Sequence, residues 1–129
     1  LLAQRRQQAF RIYQLRLDEE HPTVPFAFGG IETLHKAGFE QPPAAEYNQV
    51  YDGILPYIDG EDEQHRLERI FEQYNDNLPD GYPGRSIAPS DVIELYGGEG
   101  RRYYYCDTGG FCPVKFSPML AKPLKQEKE

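Results

Sequence analysis

A chain of 129 residues with 39% hydrophobic and 27% charged residues suits one domain able to bury a single core. Its net charge of −7 is uneven: residues 17–100 hold 18 acids against four bases, while both ends are net basic. An acidic body repels phosphate backbones, which argues against nucleic-acid binding, and no apolar run approaches the roughly 18 residues a membrane span needs.

The start, Leu1-Leu2-Ala3-Gln4-Arg5-Arg6, is too short and polar for a signal peptide. With two cysteines and no export signal, the expected compartment is the cytoplasm, with both thiols reduced. The missing initiator Met suggests a piece of a longer protein or a trimmed chain. Ten tyrosines and no tryptophan imply a core built largely from rings, their hydroxyls at its edge.

Residues 1–9 are polar and read as an N-terminal extension. "AFRIYQLRL" then alternates, with Tyr13, Leu15 and Leu17 on one face and Phe10, Ile12 and Gln14 on the other, a first strand. "DEEHPTVP" is a loop. In "GGIETLHKAGFE", Ile31, Leu34 and His35 share a helical face and Gly38 stands at the C-terminal position, so a short helix is expected over 30–38. After Pro42-Pro43, Tyr47, Gln49 and Tyr51 alternate with Asn48 and Val50, a short second strand.

Residues 61–76 form the clearest helix. Leu67, Ile70, Phe71 and Tyr74 repeat at the spacing of a stripe packed on a core, and Glu61, Asp62 and Glu63 lie in the first turn, where the helix dipole favours negative charge. Glu68 and Glu72 face outward with Arg66, Arg69 and Gln73. An irregular stretch over 77–90 follows. Residues 91–96 and 102–106 then read as a hairpin across Gly97-Gly98-Glu99-Gly100, with Ile93 and Leu95 beneath the 61–76 helix. Residues 117–129 are charged and patternless, and are expected to be a disordered tail.

"YYYCDTGGFC", residues 103–112, concentrates the candidate chemistry. Asp107-Thr108-Gly109 invites an aspartic-protease reading, but that chemistry needs a second carboxylate sharing a proton, from a duplicated lobe or a dimer, and a β-rich chain with a flap. The plainer reading ends a strand at Asp107, whose carboxylate accepts the turn's free N–H groups. Gly109 and Gly110 then turn the chain so that Phe111 folds back onto the core. Cys106 and Cys112, spaced C-x5-C, lack the short spacing and four ligands of a zinc site, and His21, His35 and His65 lie far off. A disulfide stays open if the turn brings the Cα atoms within about 7 Å; a buried apolar role for free Cys is the commoner use. Ser86, Ser90 and Ser117 form no nucleophile motif with the histidines, and Ser86 and Ser90 read as partners of backbone groups at a turn and a strand start. No catalytic residue, metal site or cofactor is assigned.

The order of segments resembles the YodL-like domain family of Firmicutes. Ile70, Phe71, Glu72, Tyr74 and Asn75, then Pro79, match its helix end and following loop. Gly84, Ser86, Ile87, Ser90, Asp91 and Val92 match its Gly-His-Ser-Leu-x-x-Ser-Asp-Val-Val segment, with Arg85 where the pattern carries His. Tyr104, Tyr105, Cys106, Asp107, Gly110 and Phe111 match its Tyr-Tyr-Cys/Val-Asp-Ser-x-Gly-Phe ending. The resemblance covers residues 10–116 and implies a domain found within larger proteins of conjugative elements and phages, with no established enzyme chemistry. The expected fold is α+β: a small antiparallel sheet with a C-terminal β-hairpin, and the main helix and the short helix packed on one side. The expected function is a non-enzymatic protein-interaction or accessory module, a monomer or weak dimer, docking an unknown protein partner. The docking surface is placed at Gly84, Arg85, Ser86, Ser90 and Asp91 with Asp107, Gly110 and Phe111. The alternative is an acidic inhibitor of a host enzyme, an anti-restriction factor that mimics DNA charge.

Overall fold

The computed structural model describes residues 7–17, 25–56, 58–76, 78–96 and 100–123. The alternating run at the start becomes β1 (Gln7–Leu15), which pairs antiparallel on one side with β2 (Tyr47–Pro56) and on the other with β3 (Val92–Tyr96). Beyond β3 the hairpin continues into β4 (Arg102–Asp107) and β5 (Gly110–Val114), and the two-residue β6 (Lys122–Pro123) runs parallel to β2 at the far edge. The sheet order is β5-β4-β3-β1-β2-β6. A five-strand antiparallel sheet with one main and one short helix is an α+β architecture.

Side chains alternate across this sheet, so each central strand feeds two cores. Phe10, Ile12, Ile93, Leu95 and Cys106 line one face, where α2 (Glu63–Asp76) lays down Leu67, Ile70 and Tyr74, with Phe71 half-buried beside them. The Tyr74 ring lies 5.5 Å from Phe10 and 5.1 Å from Tyr51. Tyr13, Leu15, Val92 and Tyr105 line the opposite face, against Phe26, Phe116 and Leu34 of α1 (Ile31–Lys36). The hairpin alternation therefore holds: Tyr104 and Cys106 face α2, and Tyr103 and Tyr105 face α1.

The two helices do not share one side of the sheet, as expected from the sequence; they cover opposite faces. The reason is topological. β2 and β3 are both antiparallel to β1 and hence parallel to each other, so β2–α2–β3 is a crossover spanning β1. The right-handed preference of such crossovers fixes the side on which α2 lies. The other apolar face then needs α1 and the flanking Phe26 and Phe116 to cover it.

Three further differences have local causes. The even alternation expected across Tyr47–Tyr51 is broken by a β-bulge: Ile12 pairs with Tyr51 and Tyr13 with Gln49, leaving Val50 without an opposite residue. Val50 and Tyr51 thus both join the α2 face while Tyr47 stays on the α1 face. The segment after Asp107 is a second hairpin rather than an exit turn. Pro113 is tolerated there because β5 is an edge strand, where a missing N–H interrupts no ladder. Of the two glycines expected to permit positive φ in this turn, Gly110 takes one, at 158°, and Gly109 does not. Finally, the stretch expected to be a disordered tail contains regular structure within residues 118–123, and its remainder, 124–129, lies outside the described residues. A 3-10 turn (Pro118–Leu120) leads into β6, and Asn48 Nδ2 donates to the Lys122 carbonyl at 3.2 Å.

Arg66, expected to face solvent, is 9% exposed beside Glu61, which also holds Arg69 at 2.7 Å. The hairpin tip Gly97-Gly98-Glu99 and His21 lie outside the described residues. Among the described residues no helix is long and apolar enough to cross a membrane.

Candidate functional site

The two sequence segments assigned to docking meet at one end of the sheet. Ser90 N–H donates to the Cys106 carbonyl at 3.0 Å and Cys106 N–H to the Asp91 carbonyl at 2.8 Å, so the approach to β3 lies beside the end of β4. The loop before β3 is irregular but tied down. Ile87 is fully buried in the α2-side core, its N–H donates to the Tyr74 carbonyl at 3.0 Å, and Asn75 Nδ2 donates to its carbonyl at 2.8 Å.

Gln14 fastens this loop to β1. It falls on the α2 face by strand alternation and is 2% exposed, so both ends of its amide need partners. Its Nε2 donates to the Arg85 carbonyl at 2.9 Å and to Asp91 Oδ2 at 3.0 Å, while its Oε1 accepts the Arg85 N–H at 2.9 Å. Gly84 is required by this closeness: a Cβ there would lie 2.6 Å from Gln14 Oε1 and 3.0 Å from Val50 Cγ2. Ala88 N–H donates to Asp91 Oδ2 at 2.9 Å, leaving Asp91 Oδ1 buried without a partner. Burial pushes the Asp91 carboxyl up to about 7; the bonds from Gln14 and Ala88 and the charge of Arg85 work against that rise.

Ser90 is the hinge between this buried knot and the surface. It takes φ 82°, a left-handed conformation uncommon outside glycine, and its neighbours hold it there. Its Oγ accepts the Phe28 N–H at 3.0 Å and its carbonyl accepts the Tyr47 hydroxyl at 2.8 Å. Phe28 is itself at φ 61° and 50% exposed. The Arg85 guanidinium donates to the Leu15 carbonyl at 3.1 Å and lies 5.6 Å from the Phe28 ring centre. Left-handed backbone at a bulky residue costs about 1–3 kcal/mol, so the fold spends stability to hold this ring at the surface.

Asp107 organises the opposite face of the same sheet end. Its Oδ1 accepts the N–H groups of Ile31 at 3.0 Å and Thr108 at 2.8 Å, the second as expected for a carboxylate closing its own turn. The Tyr105 hydroxyl donates to the Gly29 carbonyl at 2.8 Å, a further tie between β4 and the segment leading into α1. Phe111 folds back as expected, edge-on to Phe71 with ring centres 6.1 Å apart.

Of the eight residues assigned to docking, Arg85 and Ser86 are exposed, and Gly84, Asp107, Gly110 and Phe111 are half-buried. Ser90 and Asp91, each 1% exposed, offer a partner no surface; their polar groups are spent inside, and they shape the site rather than touch a ligand. Phe28 was missing from the expected set. Its sequence signal was faint: an aromatic residue between Pro25 and Gly29-Gly30, in a loop where a ring has no helical or strand periodicity to bury it.

The cysteines are free and cannot meet. Cys112 pairs with Tyr105 and Phe111 with Cys106, so the two thiols stand on opposite faces of the sheet, Cys106 under α2 and Cys112 on the α1 side. Burial pushes the Cys106 thiol well up, with the Asp91 charge adding to the effect, so it is a neutral packing group and no nucleophile. Among the described residues no group of three or more His, Cys, Asp or Glu side chains could hold a metal ion.

Residues 9–116 match the family model of the YodL-like domain. No curated protein and no solved structure matches the chain. The match runs from β1 through Phe116, taking in all five antiparallel strands, both helices and the buried Ser90–Asp91 knot, and the chain belongs to the YodL-like domain family.

Proposed function

We propose that this domain is a non-enzymatic protein-interaction module, working in the cytoplasm as an accessory part of a larger mobile-element protein. It docks a protein partner through the sheet end that presents Phe28, Arg85 and Ser86. The observation that carries this reading is Phe28: a half-exposed ring held in left-handed backbone by Ser90 and flanked by a guanidinium. Aromatic and arginine side chains are the groups enriched in interface cores, and a ring fixed before binding loses little entropy on docking.

Charge placement supports docking over DNA mimicry. A mimic needs free carboxylates in a phosphate-like array. Here Asp52 and Glu94 share Arg11, Glu61 holds Arg69 and Glu63 holds Arg102, so these four acids are neutralised where they stand.

The test is affinity capture from the native host with wild type, Phe28→Ala, Arg85→Ala and a distant control, Glu72→Ala, each checked for folding by circular dichroism. A protein retained by wild type and the control but lost from Phe28→Ala and Arg85→Ala supports the reading. Equal capture by wild type and all three variants removes the site. Stoichiometric, salt-sensitive inhibition of a restriction endonuclease would favour the mimic instead.

A further inference from the structure

At the end of the sheet away from Phe28, β5 peels off β4. Tyr103 still pairs with Val114, but one residue further the Lys115 N–H turns aside to donate to Gln41 Oε1 at 2.9 Å, while β4 extends back to Arg102. The gap left between the two chains is a cleft of about 480 Å³, a volume typical of small-molecule sites. Arg101, Arg102 and Lys115 line it together with Tyr103, Val114 and Phe116, and no acidic side chain does so among the described residues. Three cations and no acid at one cleft run against the composition of a chain whose residues 17–100 hold 18 acids and four bases.

The three cations differ in what they have left to give. Arg102 is committed to Glu63. Arg101 reaches Glu94 only at 3.7 Å, because that carboxylate is already filled by Arg11 Nη1, 3.2 Å from both oxygens, and by the Tyr13 hydroxyl at 2.7 Å. Lys115 is exposed, and its ammonium contacts no carboxylate among the described residues. Arg101 and Lys115 therefore line the cleft with donors to spare, and a cleft of one sign with apolar walls focuses its field on an entering anion. The walls are apolar: Phe116 is buried, with its ring 5.6 Å from that of Tyr103, and Val114 is half-buried beside them. Pro113 lacks the N–H that a strand added to this sheet edge would use, so the cleft suits a compact ligand rather than an extended peptide.

We propose that this cleft binds a small organic acid: its carboxylate rests between Arg101 and Lys115, and its apolar body lies against Tyr103, Val114 and Phe116. The site is separate from the Phe28–Arg85 surface, since Arg102 and Asp107 stand at opposite ends of β4, and it does not depend on the docking reading.

The experiment is a titration of the intact protein, labelled with nitrogen-15 and followed by its amide NMR shifts, with 3-phenylpropionate as the probe and 3-phenylpropanamide and acetate as controls. Saturable shifts below about 20 mM probe are expected at the amides of residues 101–104 and 114–116, and none at Phe28 or Arg85. The amide control keeps the apolar body and loses the charge, and acetate keeps the charge and loses the body; each should bind about tenfold or more weakly. Arg101→Gln and Lys115→Gln should each weaken 3-phenylpropionate about threefold, while Lys115→Arg keeps the wild-type affinity. Both side chains are exposed and Glu94 retains Arg11, so the variants stay folded, which their own spectra check. Absence of any saturable shift, shifts centred elsewhere, equal binding of the amide control, or unchanged affinity in both Gln variants overturns the proposal. None of these readouts uses the Phe28–Arg85 surface, so the two sites stand or fail separately.

Discussion

Asp107→Ala tests how the "DTG" triplet is used. α1 is six residues long and opens at Gly30, which has no side chain to satisfy the helix's first N–H groups. Asp107 supplies the missing acceptor from the end of β4, bonding the Ile31 N–H at 3.0 Å in half-buried surroundings. Its bond to Thr108 N–H at 2.8 Å is exposed and competes with water. A helix cap is worth typically ~1 kcal/mol and up to ~2, and a bond to a charged group about 1.5–3 kcal/mol. With the exposed bond adding little, Asp107→Ala should lower stability by about 2 kcal/mol. Asp107→Asn keeps an oxygen for Ile31 and should cost less than about 1 kcal/mol. Urea unfolding, with midpoints compared at constant slope, measures both. Gly30→Ala gives a cross-check, because its Cβ would fall 2.3 Å from Asp107 Oδ1 and displace the carboxylate. It should cost clearly less in an Asp107→Ala background than in wild type. A wild-type-like midpoint for Asp107→Ala, or an Asn variant as damaged as Ala, would refute the cap.

Three further outcomes are expected. Ile70, on α2, is fully buried against the sheet, so Ile70→Ala should cost about 2–5 kcal/mol in thermal or urea unfolding, and near-unchanged melting would make α2 peripheral. Thiol titration under mild reductant should count one reactive cysteine, Cys112, in the native protein and two in denaturant, with no internal disulfide on mild oxidation, because the sheet separates the sulfurs. For Asp91, the folded value of about 7 lies above the ordinary carboxyl value of about 3.9. Its contribution to stability is therefore whole below about pH 4 and is lost as pH rises toward 7, at no more than about 1.4 kcal/mol per pH unit. Relative to Asp91→Asn, wild type should lose stability over that window; parallel pH profiles would show that the carboxylate is accommodated without cost.

What the sequence determined by itself was whatever depends on near neighbours in the chain. The 3.6-residue stripe of Leu67, Ile70 and Tyr74 marked α2, the alternation of Phe10, Ile12 and Tyr13 marked a strand apolar on both faces, and Tyr104-Tyr105-Cys106 fell on their faces as counted. Asp107 was readable as an acceptor for its own turn, because that bond spans one residue. Only the tertiary structure decided the rest. Which side of the sheet each helix covers depends on the handedness of a crossover over β1, which no local period records. The Val50 bulge depends on the register between β1 and β2, and it reverses the face of Tyr51 without any change in the local pattern. The docking surface was half legible: Arg85 and Ser86 stood in the expected segment, but Phe28 joins them through a bond to Ser90 across 62 residues. The buried state of Asp91 was hidden for the same reason, since a carboxyl's burial is set by the elements that close over it, and Gln14, Tyr47, Tyr82 and Cys106 come from four different segments of the chain.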